Sequence, residues 1–425
     1  MAVYREGIWR DSNVIVGKPS RRLRRMLSLD DFERESQGIL PRPVFAYVAG
    51  GTEDQFTLGD NRSVFQEYGL VSRVLRDVSN RSIKTTLFDQ EWAAPFGIAP
   101  MGLSALSSYR GDLALTRAAN QAGIPMVVSG TSIIRMEEII QDNPDAWFQA
   151  YVPGDLERTR PLLDRIKAAG YKTLVLTVDT FLGASRENQT RAGFSTPLRP
   201  SLRLVLDGIT RPRWLFGTFL RTLLQHGMPH FENSFAVRGA PIISQNAARD
   251  HGTKDHMDWD RFALIRRHWQ GRLIVKGLLH AGDCCMARDL GADGIIVSNH
   301  GGRQLDSGPS PLRVLPRILE ELSSTGQRIP VMIDSGFRRG DDVLKALALG
   351  ADFVFIGRPF NFACSVAGQA GVEHAIGLLK DEVKRGLGMM GYNAMKEVRN
   401  ARVDQVLIDL LRVKSGALRN SAHLK

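Results

Sequence analysis

At 425 residues, with 43% apolar and 24% charged side chains, the chain can bury a large core, and wholesale disorder is excluded. A formal charge of +11 favours anionic surroundings, and its arginines cluster at 20–25 (SRRLRR) and at 199–221 (RPSLRLVLDGITRPRWLFGTFLR). The second cluster is interleaved with Leu, Phe and Trp, which suits a membrane surface better than a nucleic-acid groove, while the three cysteines, Cys284, Cys285 and Cys364, argue against a disulfide framework or a Cys-based zinc site.

Residues 1–27 read as a basic N-terminal extension. Its opening, MAVYREGIWRDSNVIVGKPS, lacks the apolar core of a secretory signal, so the chain is expected in the cytoplasm, spanning no membrane and at most peripheral on the membrane's cytoplasmic face. Residues 28–90 read as helices plus a short extended piece, a cap over one end of the strand-rich region beyond it.

From residue 93, β-branched runs alternate with helical patterns, the mark of consecutive βα units. The runs are AAPFGIAP (93–100), IPMVVS (124–129), AWFQAYV (146–152), TLVLTVD (173–179), RLIVKG (272–277), GIIVSNH (294–300), IPVMIDSG (329–336) and FVFIGRP (353–359). Eight apolar strands in this alternation favour an α/β fold closed as a (β/α)8 TIM barrel, with an open doubly wound sheet as the alternative. The barrel unit is expected over 28–390, with residues 391–425 as a C-terminal tail.

After the fourth strand a long insertion, 194–257, precedes the helix DWDRFALIRRHW (258–269). Its segment 202–229 resembles an interfacial helix with basic flanks, and a lid or an oligomer contact fits the same composition. His226 and His230 have a spacing that holds a metal on a helix, but Gly227 and Pro229 between them argue against such a helix, and no metal is expected.

Catalytic groups of such barrels come from the C-terminal strand ends. Here every strand ends in unusual residues: Pro100-Met101-Gly102, Ser129, Gln149 and Tyr151, Thr177 and Asp179, Lys276, Ser298 and His300, Asp334, and Gly357 with Arg358. Gln149/Tyr151, Thr177/Asp179 and Ser298/His300 are each two apart and point to one face of a strand. Any single one is more often structural than catalytic, but eight coincident ends suggest one pocket. Lys276 after RLIV suggests an anion in the barrel mouth, with a structural ion pair as the alternative. DSGFRRG (334–340) and GRP (357–359) come after strands seven and eight, where barrels hold phosphate on backbone amides and a helix N-terminus.

The string SNHGGRQLD (298–306) after an apolar strand resembles the FMN-dependent 2-hydroxy acid dehydrogenase and oxidase family. FAYVAGGTEDQ (45–55), IAPMG (98–102), WFQAYV (147–152), LTVDT (176–180), LIVKG (273–277), DSGFRRG (334–340), DVLKALALGA (342–351) and IGRP (356–359) stand in family order. The resemblance implies FMN as cofactor and His300 as the active-site base, paired with Asp179, whose charge favours the imidazolium. It also implies that Arg186 and Arg303 grip the substrate carboxylate beside Tyr47 and Tyr151. Lys276 is placed beside the flavin ring. Pro100, Met101, Gly102, Ser129, Gln149, Thr177 and Ser298 become flavin contacts, and Asp334, Gly336, Arg338, Gly357 and Arg358 the ribityl and phosphate site.

Many relatives carry Ala at Gly102, Leu at Ala150, Thr at Met101 and DGG at Asp334-Ser335-Gly336; the smaller Gly102 and Ala150 suggest a substrate bulkier than glycolate. DSG, TRPRW (210–214) and HGMP (226–229) are similar to the membrane-associated branch acting on mandelate or L-lactate. The expected activity is therefore oxidation of an L-2-hydroxy acid to the 2-keto acid, with electrons passed to a quinone, in a homotetramer that binds no nucleic acid. Alternatives are an oxidase releasing hydrogen peroxide, an accessory flavoprotein modifying a peptide or cofactor, and a flavin-free isomerase or aldolase using Lys276 as a Schiff base.

Overall fold

The computed structural model describes residues 20–152, 156–195, 199, 202–244, 257–401 and 403–410. Most of the N-terminal extension, the chain beyond 410 and parts of the insertion (196–198, 200–201 and 245–256) lie outside the described residues.

Eight parallel strands form one sheet: β1 (Phe96–Ile98), β2 (Val127–Ser129), β3 (Trp147–Ala150), β4 (Thr173–Thr177), β5 (Arg272–Leu278), β6 (Gly294–Val297), β7 (Val331–Ile333) and β8 (Phe353–Ile356). From β2 to β8 each pairs with the next in sequence, and β8 pairs with β1. The seam between β1 and β2 is closed by a parallel bridge, Ile98 to Met126, and by Ile98 N–H donating to Pro125 O at 2.9 Å. Gly97 permits this closure, because a Cβ there would lie 2.6 Å from Pro125 O and 2.9 Å from the Phe355 ring. Seven strands fall within the apolar runs of the sequence and β5 overruns its run by one residue, Leu278; the (β/α)8 barrel, not the open sheet, is the fold.

The strands are apolar on both faces because both are buried. Outward residues such as Phe148, Leu174, Leu176, Val275, Ile295 and Ile333 join the core beneath the surrounding helices. Inward, Val127, Trp147, Val175, Ile274, Ile296, Met332, Phe353 and Phe355 form a separate packed layer. The layer is plugged from below by the hairpin Thr85–Leu87/Gln90–Trp92, whose Leu87, Phe88 and Trp92 pack into it and whose Phe88 O accepts from Arg272 Nη2 at 3.3 Å. The segment 28–90 therefore serves both ends of the barrel. Its hairpin closes the N-terminal mouth, while the helices Arg42–Ala49 and Phe56–Ser63 lie over the C-terminal mouth and bring Tyr47, Gly51 and Leu58 to the loop after β6.

The insertion folds as helices Leu202–Ile209 and 212–226, the latter through a π-helical stretch Leu215–Leu220. Buried Trp214 anchors it, donating from Nε1 to Leu106 O at 2.7 Å, and Arg211 Nε donates to Leu40 O at 3.2 Å. The outer side exposes Val205, Leu206, Ile209, Phe216 and Leu224. The second helix ends at His226, where Gly227 takes φ +71°, so His226 and His230 do not share a helix face; His226 bonds the Tyr109 hydroxyl instead. Among the described residues no helix is long and apolar enough to cross a membrane. Beyond 391 the chain returns to the N-terminal unit, strand Leu407–Asp409 pairing antiparallel with Tyr68–Leu70.

Candidate active site

The side-chain period of a strand is two, so the residue two beyond each inward apolar side chain also points inward, one layer higher. Val127 is followed by Ser129, Trp147 by Gln149, Val175 by Thr177, Ile274 by Lys276, Ile296 by Ser298 and Met332 by Asp334. A polar ring thus sits directly on the apolar plug. Above it opens a cavity of about 750 Å³, lined among others by Tyr47, Pro100, Met101, Gly102, Tyr151, Thr177, Arg186, Lys276, His300, Arg303, Asp334, Gly336, Arg338, Gly357 and Arg358. Ser129, Gln149 and Ser298 lie buried in its floor.

The loop residues arrive by a different route than strand alternation implies. β4 ends at Thr177 and β6 at Val297, so Asp179 and His300 leave their strands before they reach the site. After β6 the chain makes three successive left-handed residues, His300 (φ +57°), Gly301 (+67°) and Gly302 (+72°). The glycines are required by space as well as by φ: a Cβ on Gly301 would lie 2.6 Å from Arg358 Nη1, and one on Gly302 2.7 Å from Leu58 N. The turn is held from the cap, where Asn61 and Asn299 exchange side-chain amide hydrogen bonds at 3.0 and 2.8 Å and Asn299 Oδ1 accepts from Gly302 N–H at 3.1 Å.

His300 Nδ1 donates to Asp179 Oδ1 at 2.9 Å, which leaves Nε2 as the acceptor facing Tyr151, whose hydroxyl lies 3.4 Å away. Burial pushes the imidazole below its ordinary value; the Asp179 charge and hydrogen bond act upward without overcoming it, and the cations Lys276 and Arg186 add to the depression. Asp179 thus favours the imidazolium, while burial and the neighbouring cations oppose it more strongly. For Asp179 the balance runs the other way, burial raising its carboxyl while His300 and Lys276 bring it below the usual range.

Lys276 Nζ donates to Ser298 Oγ at 2.8 Å and pairs with Asp334 Oδ2 at 3.1 Å; burial opposes its charge, and Asp334 and Asp179 restore it to above the ordinary lysine value. Lys276 is ion-paired, as the structural alternative has it, and it also lines the cavity. Asp334 is steadied by Ser335, whose hydroxyl donates to Asp334 Oδ1 at 2.8 Å and accepts from Gly301 N–H at 3.1 Å. Ser335 is a non-glycine residue at φ +81°, and these two bonds give a reason for serine in DSG.

Four arginines converge on the mouth. Arg303 Nη1 donates to Tyr47 O at 2.6 Å and Gly50 O at 3.1 Å; Arg186 donates from Nε to Arg303 O at 3.3 Å and from Nη2 to the Gln304 side chain at 2.9 Å. Burial and the neighbouring Arg186 lower Arg303 to about 10. At the other end Arg358 donates to Val48 O and Gly50 O, each at 2.9 Å, and is held well below its usual value by burial and by Arg303 and Arg338. Arg338 has Asp30 and Glu33 at 3.6 Å. Arg303, Arg338 and Arg358, each lowered by burial and by neighbouring cations, mark two places that an anion would complete, one at Arg303 with Arg186 beside it and one at Arg338/Arg358.

A flavin mononucleotide fits the residues present. Gln149 Nε2 and Thr177 Oγ1 are buried polar atoms with no partner among the described residues, on the ring where a flat heterocycle would meet them. Lys276 supplies a cation at the same level, and Arg338, Arg358 and the backbone after β7 and β8 would hold the phosphate. Three features were not legible in the sequence. Phe231, from within the insertion, is buried against the cavity, its neighbour Asn233 being pinned to Met136 N and Ile134 O at 2.8 and 2.7 Å. Thr131 fills the space next to Gly102, where a Cβ would lie 2.2 Å from Thr131 Oγ1 and 3.1 Å from the Tyr47 hydroxyl. The third is the direction of Ala150, which corrects the expectation of a wider pocket: it packs outward in the helix-side core and does not enlarge the cavity.

Residues 36–405 match the family model described as FMN-dependent dehydrogenase. The chain is 38% identical to (S)-mandelate dehydrogenase of Pseudomonas putida over 369 residues, 86% of this chain and 91% of that protein. It is 38% identical to L-lactate dehydrogenase of Xanthomonas euvesicatoria pv. vesicatoria over 373 residues, 87% and 94%. Among solved structures, the monotopic membrane protein (S)-mandelate dehydrogenase superposes with a TM-score of 0.82 at 36% identity, covering 89% of this chain and 98% of that one. Mandelate oxidase with benzoyl-formic acid gives 0.71 at 31%, covering 88% and 97%. The chain belongs to the FMN-dependent dehydrogenase family, the 2-hydroxy acid dehydrogenases and oxidases that its motifs resemble.

Proposed function

We propose that this chain oxidises an L-2-hydroxy acid of the mandelate or lactate kind to its 2-keto acid and passes the electrons to a quinone at a membrane surface. The observation that carries the reading is a half-buried imidazole that donates from Nδ1 to Asp179, turns its Nε2 toward the Tyr151 hydroxyl and lines a cavity whose mouth holds two guanidinium groups. Arg186 and Arg303 take the substrate carboxylate, and the fork geometry fixes where the hydroxyl-bearing carbon sits. Oxidation of that carbon removes two protons and two electrons; His300 Nε2 accepts one proton, Asp179 stabilises the imidazolium so formed, and the electron pair and the remaining proton would go to FMN. Tyr151, its hydroxyl held in the neutral form by burial, and Tyr47 hydrogen-bond the substrate oxygens. When bound, FMN supplies the two-electron acceptor, held over Ser129, Gln149, Thr177, Lys276 and Ser298.

Thr131 and the Tyr47 hydroxyl occupy the space a Cβ of Gly102 would take, so the support for a substrate with a side chain comes from the mandelate and L-lactate dehydrogenases the chain is similar to. Mandelate and L-lactate are expected to exceed glycolate in kcat/KM by at least about tenfold, the scale of one or two apolar contacts. Glycolate emerging as the best substrate would overturn the assignment.

The membrane part rests on Val205, Leu206, Ile209, Phe216 and Leu224, exposed on the insertion beside Arg211, Arg213 and Arg221, and on Phe181 and Leu182 exposed at the cavity lip. A relative of similar architecture is monotopic. Deleting 202–229 is expected to move the protein from the membrane pellet to the supernatant, and Phe216→Ser with Leu224→Ser to weaken its sedimentation with acidic vesicles at low salt without altering kcat. An intact protein that never sediments, or one that forms one hydrogen peroxide per turnover, would replace this reading with a soluble oxidase.

A further inference from the structure

The cavity contains one uncharged side chain that touches both halves of the proposed chemistry. Gln304 Oε1 accepts from Arg186 Nη2 at 2.9 Å, while its Nε2 donates to Asp179 O at 2.9 Å and to Leu182 O at 3.4 Å. The same Arg186 donates from Nε to the main-chain oxygen of the preceding residue, Arg303. The guanidinium is therefore held at two of its nitrogens by consecutive residues, and the loop 179–182 is fastened to that grip by the other end of the same amide. Asp179 in turn accepts the His300 Nδ1 hydrogen bond, and its Oδ2 has no hydrogen-bond partner among the described residues, so its orientation leans on its backbone, which Gln304 holds, and on His300.

We infer that Gln304 is a positioning residue that couples the carboxylate-binding arginine to the Asp179–His300 pair, an inference that rests on the roles proposed above for Arg186 and His300. An amide suits the task because it accepts from a cation at one end and donates to a carbonyl at the other without adding charge. A carboxylate in its place would keep the first contact, forfeit the second and neutralise Arg186; an apolar side chain of equal length would forfeit both.

The test compares FMN-loaded wild type with Gln304→Met and Gln304→Glu. The dissociation constant for benzoate, a carboxylate that cannot be oxidised, is read from the perturbed flavin spectrum, and kcat, KM and the pH profile of kcat/KM from turnover. Gln304→Met is expected to weaken benzoate and raise KM by about tenfold, the scale of a hydrogen bond to a charged group, with kcat falling less than KM rises. Gln304→Glu should weaken benzoate further, because the added charge repels it. In Gln304→Met, which adds no charge, a loosened Asp179 withdraws an upward pull on the His300 pKa, so the acid limb of kcat/KM moves to lower pH. The inference is overturned if benzoate affinity and the acid limb of Gln304→Met match wild type, or if both variants lose affinity only in proportion to a lowered Tm. Failure of the functional reading looks different: wild type would then bind benzoate but not be bleached by any 2-hydroxy acid.

Discussion

Gln in place of His300 should lower kcat by about 10³-fold, within the range for loss of a positioned general base, while FMN content and Tm stay close to wild type. The separation is expected because His300 lines the cavity and contributes little to the packed layers beneath; its main-chain N–H, not its ring, donates to Ser298 Oγ at 3.1 Å. Glutamine preserves a polar side chain toward Asp179 and has no basic nitrogen. The pH profile of wild type supplies the complementary measurement. Catalysis uses the neutral ring, so kcat/KM is lost as pH falls through the His300 pKa of the free enzyme. Burial holds that value below the ordinary 6.5, and the acid limb should therefore have its midpoint below 6.5. Asp179→Asn removes a contribution that raises the value and should move the limb lower still while reducing the plateau. A variant at 300 that keeps more than a tenth of wild-type kcat, or an acid limb centred above 7, would remove His300 from the role of base.

The legible part of this molecule is the part governed by period two. Apolar runs of a few residues ending in one polar side chain place Gln149, Thr177, Lys276 and Ser298 above Trp147, Val175, Ile274 and Ile296, and the fold realises that pattern strand after strand. The loops beyond the last strand residues are less readable, because packing from elsewhere sets their course. His300 reaches the site through a left-handed turn that exists because helix Phe56–Ser63 and Arg358 press against its glycines. The same limit hid Phe231, which lies in a segment whose composition advertises only its exposed Arg and aromatic face. Ala150 illustrates the reverse error: a small residue near a site reads as space, but its place in the alternation turns it toward the helices. The pKa of His300 needed the structure too, since a pair of opposite charges in sequence says nothing of how much water both have lost.

Lys276→Met should be the most damaging single change, and on two separable counts. The first is structural. The ammonium is buried between Ser298 Oγ and Asp334 Oδ2, and its removal leaves the Asp334 carboxylate, itself 9% exposed, with Ser335 as its remaining side-chain donor. Stranding one partner of a buried pair costs about 3–5 kcal/mol, so the variant should show a clearly lowered Tm and release FMN on dilution. The second is chemical: the cation stands on the polar ring over which FMN is proposed to lie, and loss of a preorganised charge from a dry site is expected to slow anaerobic bleaching of the flavin by about 10²–10³-fold. Lys276→Met with Asp334→Asn distinguishes the two effects. Neutralising the stranded carboxylate should recover most of the lost Tm, since no buried charge is left without a counter-ion, yet bleaching should remain as slow as in the single variant because the positive charge is still missing. Recovery of rate together with Tm would make Lys276 a structural ion-pair member and nothing more. Bleaching by Lys276→Met within tenfold of wild type would lead to the same conclusion without the second substitution.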